Sequence, residues 1–355
     1  MKTRIQNLQK LLLKGEAMLI TGGANRFYFT GFRSSAGALL ITKTSAFFLI
    51  DFRYIEKARS EIKDTEVILY DGLLPSLNKI LQASQIKTLY LETGEVSVAT
   101  FSAYKKAFEG VEVSNDEKIY KAITDFRAVK DRTEVESIKA AQKITDDAFT
   151  YILDRIKVGK TEKEIALDLE FFARKNGGES VAFDFIVVSG KNSSLPHGVP
   201  ADKPLQKGDF VTMDFGVKVN GYCSDMTRTV ALGSVSEEQK TVYNTVLRAQ
   251  EKAFEKIKAG AVCNEVDAVA RDYINGSGFK GCFGHGLGHS LGIDVHENPV
   301  FNMRDTTVLK SGMVLTVEPG IYLENKFGVR IEDMVLVTDS GFENLTSSPK
   351  ELIIL

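Results

Sequence analysis

The sequence predicts an α+β protein in which a smaller N-terminal α/β domain precedes a larger domain built from two similar halves. Three features support this: a segment that occurs twice, capping boxes that open recurring helices, and a helix–strand alternation confined to the first part. A chain of 355 residues also exceeds the size of a typical single core. The predicted domains are residues 1–125 and 126–355.

The first 125 residues alternate helical and strand patterns. A helical pattern at Arg4–Lys14 is followed by strand-like segments, and a second helical pattern reaches about Ile62. The strand-like segments are Ala17–Thr21, Ala38–Thr42, Ala46–Asp51, Val67–Tyr70 and Thr88–Glu92. This alternation predicts a mixed sheet with helices.

The larger domain contains an internal repeat. Leu205–Gly216 and Leu309–Gly320 share the pattern Leu-x-x-Gly-x-x-(Val/Leu)-Thr-x-(Asp/Glu)-x-Gly. Each copy carries one acidic residue and is followed by a second: Asp214 and Asp225, then Glu318 and Glu332. Self-similarity of this kind indicates repeated structure. Two halves that each supply a pair of carboxylates to a common centre are therefore expected.

Helix signals recur in both halves of this domain. An amphipathic helix is expected around Thr133–Ile156. Capping boxes that begin at Thr161 and Ser236 predict two more helices, of which the second reaches about Lys258. These helices would pack outside the strands that carry the acidic residues.

The first copy also predicts the direction of its carboxylates. Asn220-Gly221 lies between strand-like segments and predicts a two-residue hairpin turn. This turn places Gly216 opposite Asp225, so Asp214 lies on the same face as Asp225 and diagonal to it. Diagonal partners are about 7–8 Å apart, which lets two short side chains share bound ions.

The second copy allows a similar hairpin, although its register stays open. A turn centred on Asn325 would place Glu318 opposite Glu332, but Pro319 cannot donate a ladder hydrogen bond. A lone acidic residue on a hairpin is usually a solvated charge. Four carboxylates on the inner faces of two hairpins would repel one another unless a cation neutralised them, so a metal site is predicted.

Histidine usage supports the metal site. The chain has four histidines, all of which follow residue 196: His197, His285, His289 and His296. One imidazole added to four carboxylates makes a hard, oxygen-rich ligand set. Such a set suits manganese best, tolerates cobalt, iron or zinc, and matches no structural zinc pattern.

Four motifs together resemble a known family: MDFGVKVNGYCSDMTRT (213–229), GHGLGH (284–289), TVEPGIY (316–322) and GVRIED (328–333). They are similar to those of the pita-bread metallopeptidases of the prolidase and aminopeptidase P family, closest to short bacterial Xaa-Pro aminopeptidases. The resemblance covers essentially the whole chain. It implies a pita-bread catalytic domain with pseudo-twofold duplicated halves and a creatinase-like N-terminal domain that covers the cleft and joins subunits.

The resemblance implies a role for individual residues. The implied ligands of two divalent ions, most suitably Mn²⁺, are Asp214, Asp225, His289, Glu318 and Glu332. The implied catalytic residues are His197, His296 and Glu318. The implied substrate-binding residues are His197, His285, which lines the proline pocket, Tyr322 and Arg330, the last two as supports of the site. Hydrolysis by a hydroxide that bridges the two ions is the implied chemistry.

The function implied is an Xaa-Pro aminopeptidase acting on peptides with proline at the second position, with an Xaa-Pro dipeptidase (prolidase) as the alternative. A methionine aminopeptidase normally lacks so large an N-terminal domain, and creatine hydrolysis on this fold dispenses with the metal ligands. A more remote alternative is an inactive peptide-binding module, because some relatives keep the fold and lose ligands.

Composition limits the other partners and the location. A formal net charge of −2 gives no electrostatic reason to expect nucleic acid or a membrane surface as a partner. The N-terminal segment lacks the apolar run of a signal peptide. The three cysteines form no close pair. A cytoplasmic protein, and by the family resemblance a homodimer, is expected.

Overall fold

The computed structural model describes residues 1–355, which form two compact units, Met1–Arg127 and Ala128–Leu355. The first unit contains six helices and one six-stranded sheet. The helices are α1 (Lys2–Leu11), α2 (Gly23–Thr30), α3 (Ile55–Glu61), α4 (Leu73–Ala83), α5 (Val98–Ala107) and α6 (Glu117–Ala128). The strands are β1 (Glu16–Ile20), β2 (Ala38–Thr42), β3 (Ala46–Ile50), β4 (Glu66–Leu69), β5 (Thr88–Leu91) and β6 (Glu112–Ser114).

The sheet of the first unit has the order β4-β3-β2-β1-β5-β6. Its central strands pair antiparallel, while β3–β4, β1–β5 and β5–β6 pair parallel. The predicted mixed sheet is therefore confirmed. Every residue of β2 is buried, as expected for the continuous apolar run of a central strand covered on both faces.

The second unit repeats one arrangement of helices and strands. Its first half contains α7 (Arg132–Leu153), α8 (Glu162–Lys175), β7 (Ser180–Val181), β8 (Ile186–Ser189), β9 (Phe210–Phe215), β10 (Val217–Val219), β11 (Tyr222–Cys223) and β12 (Met226–Ala231). Its second half contains α9 (Glu237–Phe254), α10 (Cys263–Ile274), β13 (Gly288–Ser290), β14 (Glu297–Phe301), β15 (Val314–Val317), β16 (Gly320–Leu323), β17 (Phe327–Arg330), β18 (Asp333–Val337) and β19 (Phe342–Asn344).

Local sequence explains where the helices of the second unit begin. Capping boxes open α8 at Thr161 and α9 at Ser236, as the sequence predicts, and a third opens α7 at Asp131. In each half the apolar faces of two helices pack on the strands. The first-half core includes Phe149, Leu169 and Met213, and all three are at most 1% exposed.

The two halves place their acidic residues in corresponding positions. Strand β9 lies between β8 and β12, and β15 lies between β13 and β18. Asp214 is in β9 and Glu318 directly follows β15, whereas Asp225 directly precedes β12 and Glu332 directly precedes β18. The sheet of each half therefore delivers both of its carboxylates at one end.

Both predicted hairpin registers are observed. Asn220 and Gly221 adopt φ values of 48° and 85°, which a two-residue hairpin turn requires, and Val219 pairs with Tyr222. Beyond the turn Asp214 pairs with Thr227, which leaves Asp214 diagonal to Asp225.

In the second hairpin Asn325 adopts a φ of 59° at the turn. Leu323 pairs with Phe327, and Val317 pairs with Asp333 in the same register, so Glu318 faces Glu332 directly. The register that the sequence left open is thereby determined.

No helix in either unit combines the length and the apolar character needed to span a membrane.

Candidate metal centre

A cavity of about 510 Å³ opens between the two halves of the second unit. Residues from both halves line it. Nine of the ten predicted site residues are in this lining: His197, Asp214, Asp225, His285, His289, His296, Glu318, Arg330 and Glu332. The tenth, Tyr322, donates or accepts hydrogen bonds with two of them. The structure therefore brings together the whole set that the sequence singled out.

The acidic side chains converge on one imidazole. Potential ligand atoms of Asp225, His289 and Glu332 all lie within 4.8 Å of one another. Nε2 of His289 lies 3.7 Å from Oδ2 of Asp225 and 3.5 Å from Oε1 of Glu318. The hairpin register places Asp214 diagonal to Asp225, on the same face of the strands.

His289 is held in the tautomer that a metal ligand needs. Its Nδ1 lies 3.1 Å from the carbonyl oxygen of Ser290, so Nδ1 carries the proton and Nε2 faces the carboxylates with its lone pair. Burial, and then the neighbouring His296, lower the pKa of His289 to about 4. The ring is therefore neutral near pH 7.

The carboxylates are difficult to ionise together. Burial and then the charges of neighbouring carboxylates raise the pKa values of Asp225 and Glu332 well above their ordinary range. Burial raises the pKa of Glu318 to about 8, although Arg330 partly opposes the shift. Like charges held this close bind protons unless another cation takes their place.

Two threonines hold the carboxylates in position. Thr227 donates to Oε2 of Glu332 at 2.7 Å, and Thr316 donates to Oε1 of Glu318 at 3.1 Å. Thr316 also accepts the backbone N–H of His289 at 3.0 Å. Sequence reasoning missed both residues, although Thr316 belongs to the repeated motif and could have been noticed there.

Arg330 is committed to protein groups inside the site. Its guanidinium donates to Asp214 at 2.6 Å, to the Tyr322 hydroxyl at 2.9 Å, to Thr227 at 3.0 Å and to the Pro196 carbonyl at 3.1 Å. Burial alone would lower the pKa of Arg330, but the neighbouring Tyr322 and carboxylates raise it above its ordinary value. The cation is permanent and supports the acidic cluster.

A hydrogen-bonded chain continues from Arg330 to His285. Tyr322 accepts from Arg330, and its hydroxyl lies 2.9 Å from Nε2 of His285. Nδ1 of His285 lies 2.8 Å from the Gly286 carbonyl, so Nδ1 donates and Nε2 accepts the Tyr322 proton. Burial, and then Arg330, lower the pKa of His285 to about 4. His285 therefore presents a neutral ring to the cavity.

The other two histidines occupy different positions in the cavity. The ring of His296 lies edge-to-face against that of His289, with 4.5 Å between ring centroids. His197 is exposed at the cavity lining.

The segment that carries His197 is held by a buried glutamate that sequence reasoning missed. Glu162, in the first turn of α8, is fully buried and accepts the backbone N–H and the hydroxyl of Ser189 at 2.7 and 2.8 Å. Its second oxygen accepts the N–H of Ala201 at 3.1 Å. Glu162 thereby fixes both ends of the segment 189–201 around His197.

The donor set fits a divalent metal ion. Oδ1 of Asp214 is buried and has no hydrogen-bond partner, although buried carboxylate oxygens are almost always satisfied. The cavity lining contains one guanidinium and, among the predicted ligands, four carboxylates. Divalent cations would neutralise the excess of negative charge. Carboxylate oxygens with one imidazole nitrogen form a ligand set that suits such ions.

A fold of two similar halves around an acidic, histidine-lined cavity defines a metal-dependent hydrolase of peptide bonds. Residues 136–339 match the model of metallopeptidase family M24, and residues 4–129 match that of the creatinase/prolidase N-terminal domain. The chain belongs to metallopeptidase family M24. The predicted pita-bread fold and the predicted family are thereby confirmed.

Similar proteins match along the whole chain. The Xaa-Pro dipeptidase of Bacillus anthracis is 41% identical, with a TM-score of 0.95 and coverage of 99% of each chain. The X-Pro aminopeptidase of Thermotoga maritima is 39% identical, with a TM-score of 0.91 and coverage of 98% of this chain and 100% of that one. An Xaa-Pro dipeptidase of Pyrococcus furiosus is 37% identical over 99% of this chain and 100% of its own length.

Proposed function

We propose that this peptidase is an Xaa-Pro dipeptidase that hydrolyses the bond between an N-terminal residue and a C-terminal proline. The observation that carries its catalytic part is the convergence of four carboxylates and one neutral imidazole in a single cavity. The preference for a dipeptide is supported by two of the three similar proteins above, which are named Xaa-Pro dipeptidases. The aminopeptidase reading favoured by the sequence has less support and becomes the second candidate.

The proposed metal ligands are Asp214, Asp225, His289, Glu318 and Glu332. Two divalent ions would act there as Lewis acids that make water more acidic and polarise the scissile carbonyl. Because carboxylate oxygen dominates the set, Mn²⁺ is the proposed ion, with Co²⁺, Fe²⁺ or Zn²⁺ as alternatives.

Glu318 is the proposed carrier of the proton. Its carboxyl lines the cavity beside the other proposed ligands, with Oε1 3.5 Å from Nε2 of His289. The leaving nitrogen of any hydrolysed amide must gain a proton, and the proline nitrogen of an Xaa-Pro bond carries none beforehand. Glu318 would accept one proton from the attacking water and deliver it to that nitrogen.

The histidines of the cavity have separate proposed roles. His296 lies against His289 and would donate a hydrogen bond to the carbonyl oxygen as negative charge develops on it. His285, neutral and held by Tyr322, would present its ring to proline. His197 is exposed to the cavity and would contact the main chain of the substrate.

A dipeptide ends in a carboxylate, for which the enzyme needs a positively charged or hydrogen-bonding partner. Arg330 does not fill this role in the structure, because its donors are engaged by Asp214, Tyr322, Thr227 and Pro196. It is the only arginine or lysine that lines the cavity. We therefore assign Arg330 to support of the carboxylates rather than to substrate binding.

The deciding experiment compares hydrolysis of Xaa-Pro, Xaa-Pro-Yaa and Xaa-Ala by the Mn²⁺-supplemented enzyme. The dipeptidase should cleave Xaa-Pro with the highest kcat/KM. A preference for Xaa-Pro-Yaa would establish the aminopeptidase candidate instead. Cleavage of Xaa-Ala with neither proline substrate would refute the proline specificity, and undiminished cleavage after thorough chelation would refute the metal chemistry.

A further inference from the structure

The second unit contains a buried lysine for which the chemistry described above has no role. The side chain of Lys130 is only 1% exposed. Its backbone N–H donates to the carbonyl of Gly312 at 2.9 Å, so the residue is fixed at both its backbone and its side chain. An ammonium group is costly to bury unless it is paired, which makes its contacts informative.

The ammonium of Lys130 contacts β13, which carries His289, and β14, which His296 directly precedes. It lies 2.8 Å from the hydroxyl of Ser290 and 3.4 Å from Oε2 of Glu297. Ser290 and Glu297 are paired residues of the β13–β14 ladder, next to a shift in its register. Each of them directly follows one of the two histidines in the chain.

The two histidines meet where this ladder is irregular. His289 lies in β13 and His296 directly precedes β14, and the register of the ladder shifts between His289 and Ser290. The rings of His289 and His296 meet on the cavity side, with 4.5 Å between centroids.

Ser290 and Glu297 each connect Lys130 to one of the two histidines through further hydrogen bonds. The carbonyl of Ser290 accepts from Nδ1 of His289 and so orients that ring. Oε1 of Glu297 accepts the N–H groups of Ile293 and Asp294 at 3.0 and 3.2 Å, which braces the loop leading into His296. One ammonium is thus connected to the orientation of both rings.

We propose that Lys130 is a positioning residue, which fixes the rings of His289 and His296 relative to each other through Ser290 and Glu297. The inference rests on the proposed function for the roles of the two histidines, but its structural part can be tested without substrate.

The first test uses the metal-free protein with ¹³C-labelled histidine. Only four histidines are present, so the ring resonances can be assigned by replacing each histidine in turn. Lys130→Met should displace the resonances of His289 and His296 and leave those of His197 and His285 in place. Lys130→Arg, which retains the charge, should restore most of the displacement.

The second test measures turnover. Lys130→Met should lower kcat at least about tenfold while KM changes much less, as is usual when a group that orients a metal ligand is removed. Lys139→Met is the control, because Lys139 forms an ion pair of 2.5 Å with Glu343. Neither Lys139 nor Glu343 adjoins a histidine in the chain.

Three outcomes would overturn the proposal. They are unmoved resonances in a folded Lys130→Met protein, equal displacement of all four histidine resonances, or the same changes in Lys139→Met. If Lys130→Met does not fold, Glu297→Gln keeps the side-chain shape and should displace the ring resonance of His296 selectively. An unmoved His296 resonance in that variant would refute the proposal. Failure of the wild-type protein to cleave Xaa-Pro would refute the proposed function alone, because the resonances do not depend on substrate.

Discussion

Arg330, the last residue of β17, donates a hydrogen bond of 2.6 Å to Asp214 of β9. The side chains of both residues are largely buried, at 4% and 13% exposed. This ion pair joins a cation of the second half to a carboxylate of the first. It places one fixed positive charge among four acidic side chains, and it links the integrity of the cavity to the packing of the two halves.

Arg330→Met should destabilise the metal-free protein by about 3–5 kcal/mol, because it leaves the buried Asp214 carboxylate without its partner. Urea unfolding measures this loss. Adding Asp214→Asn should recover much of it. Arg248→Met is the control, since Arg248 pairs with Glu251 on the surface and its loss should change the stability little. Equal losses in the two single variants would contradict the assigned role.

Asp225→Asn should lower the activity of the enzyme but raise the stability of its metal-free form. The variant should lose metal affinity and at least about 100-fold in turnover, since even groups behind the ligands commonly contribute 10- to 100-fold. The metal-free variant should nonetheless melt higher than the metal-free wild type, because one of the mutually repelling carboxyl groups is gone. Calorimetric metal titration and thermal unfolding provide the two measurements. Wild-type turnover with lost metal would show that the ions are not needed.

The pH dependence of stability should distinguish metal-free from metal-loaded protein. The pKa of Glu318 rises from an ordinary value of 4.5 to about 8 on folding. Its protonated form therefore contributes stability that is complete below pH 4.5 and is lost as the pH rises through 8. The buried His285 and His289 have pKa values lowered from 6.5 to about 4, so they act in the opposite sense only below pH 6.5.

Between pH 6.5 and 8, therefore, only the carboxyl groups make the stability depend on pH. In this range the metal-free protein should lose up to about 1.4 kcal/mol of stability per pH unit for each carboxyl that is protonated when folded and ionised when unfolded. Mn²⁺-loaded protein should show little change, because the ions replace the protons. Metal-free Glu318→Gln should show a shallower slope than metal-free wild type. Parallel wild-type curves with and without Mn²⁺ would argue against ions among these carboxylates.

Glu162→Gln should loosen the segment that carries His197. The amide group of glutamine cannot accept at both positions, so at least one of the N–H groups of Ser189 and Ala201 loses its partner. The expected loss of stability is about 1–3 kcal/mol, with KM raised more than kcat is lowered. Glu164→Gln, in the same helical turn but exposed, is the control, and its effect should be smaller. An unchanged KM would refute the link to His197.

The sequence predicted the directions of the carboxylates because local turn chemistry decides them. Asn220 and Asn325 adopt left-handed conformations at the two turns, and the strand registers that follow place the acidic residues. Capping boxes at Thr161 and Ser236 likewise predicted where two helices begin. These signals lie within a few residues of the features that they determine.

The supports of the site could not be predicted in this way, because their partners are far away in the chain. Glu162, in the first turn of a helix, has the sequence context of an ordinary capping charge, yet it accepts from residues 27 and 39 positions later. Lys130 contacts residues 160 and 167 positions away. Arg330 could equally have faced substrate. Only the packed fold shows which group each side chain meets.

The division of the carboxylates between two similar halves has an evolutionary consequence. A single ancestral half would carry only two acidic residues and could surround a pair of ions only by meeting a second copy of itself about a twofold axis. Fusion of two such copies into one gene would then allow each half to diverge, so that the second could acquire the imidazole of His289 and the first the exposed His197 of the cavity lining. Asymmetric chemistry on a symmetric frame is what such a history would produce.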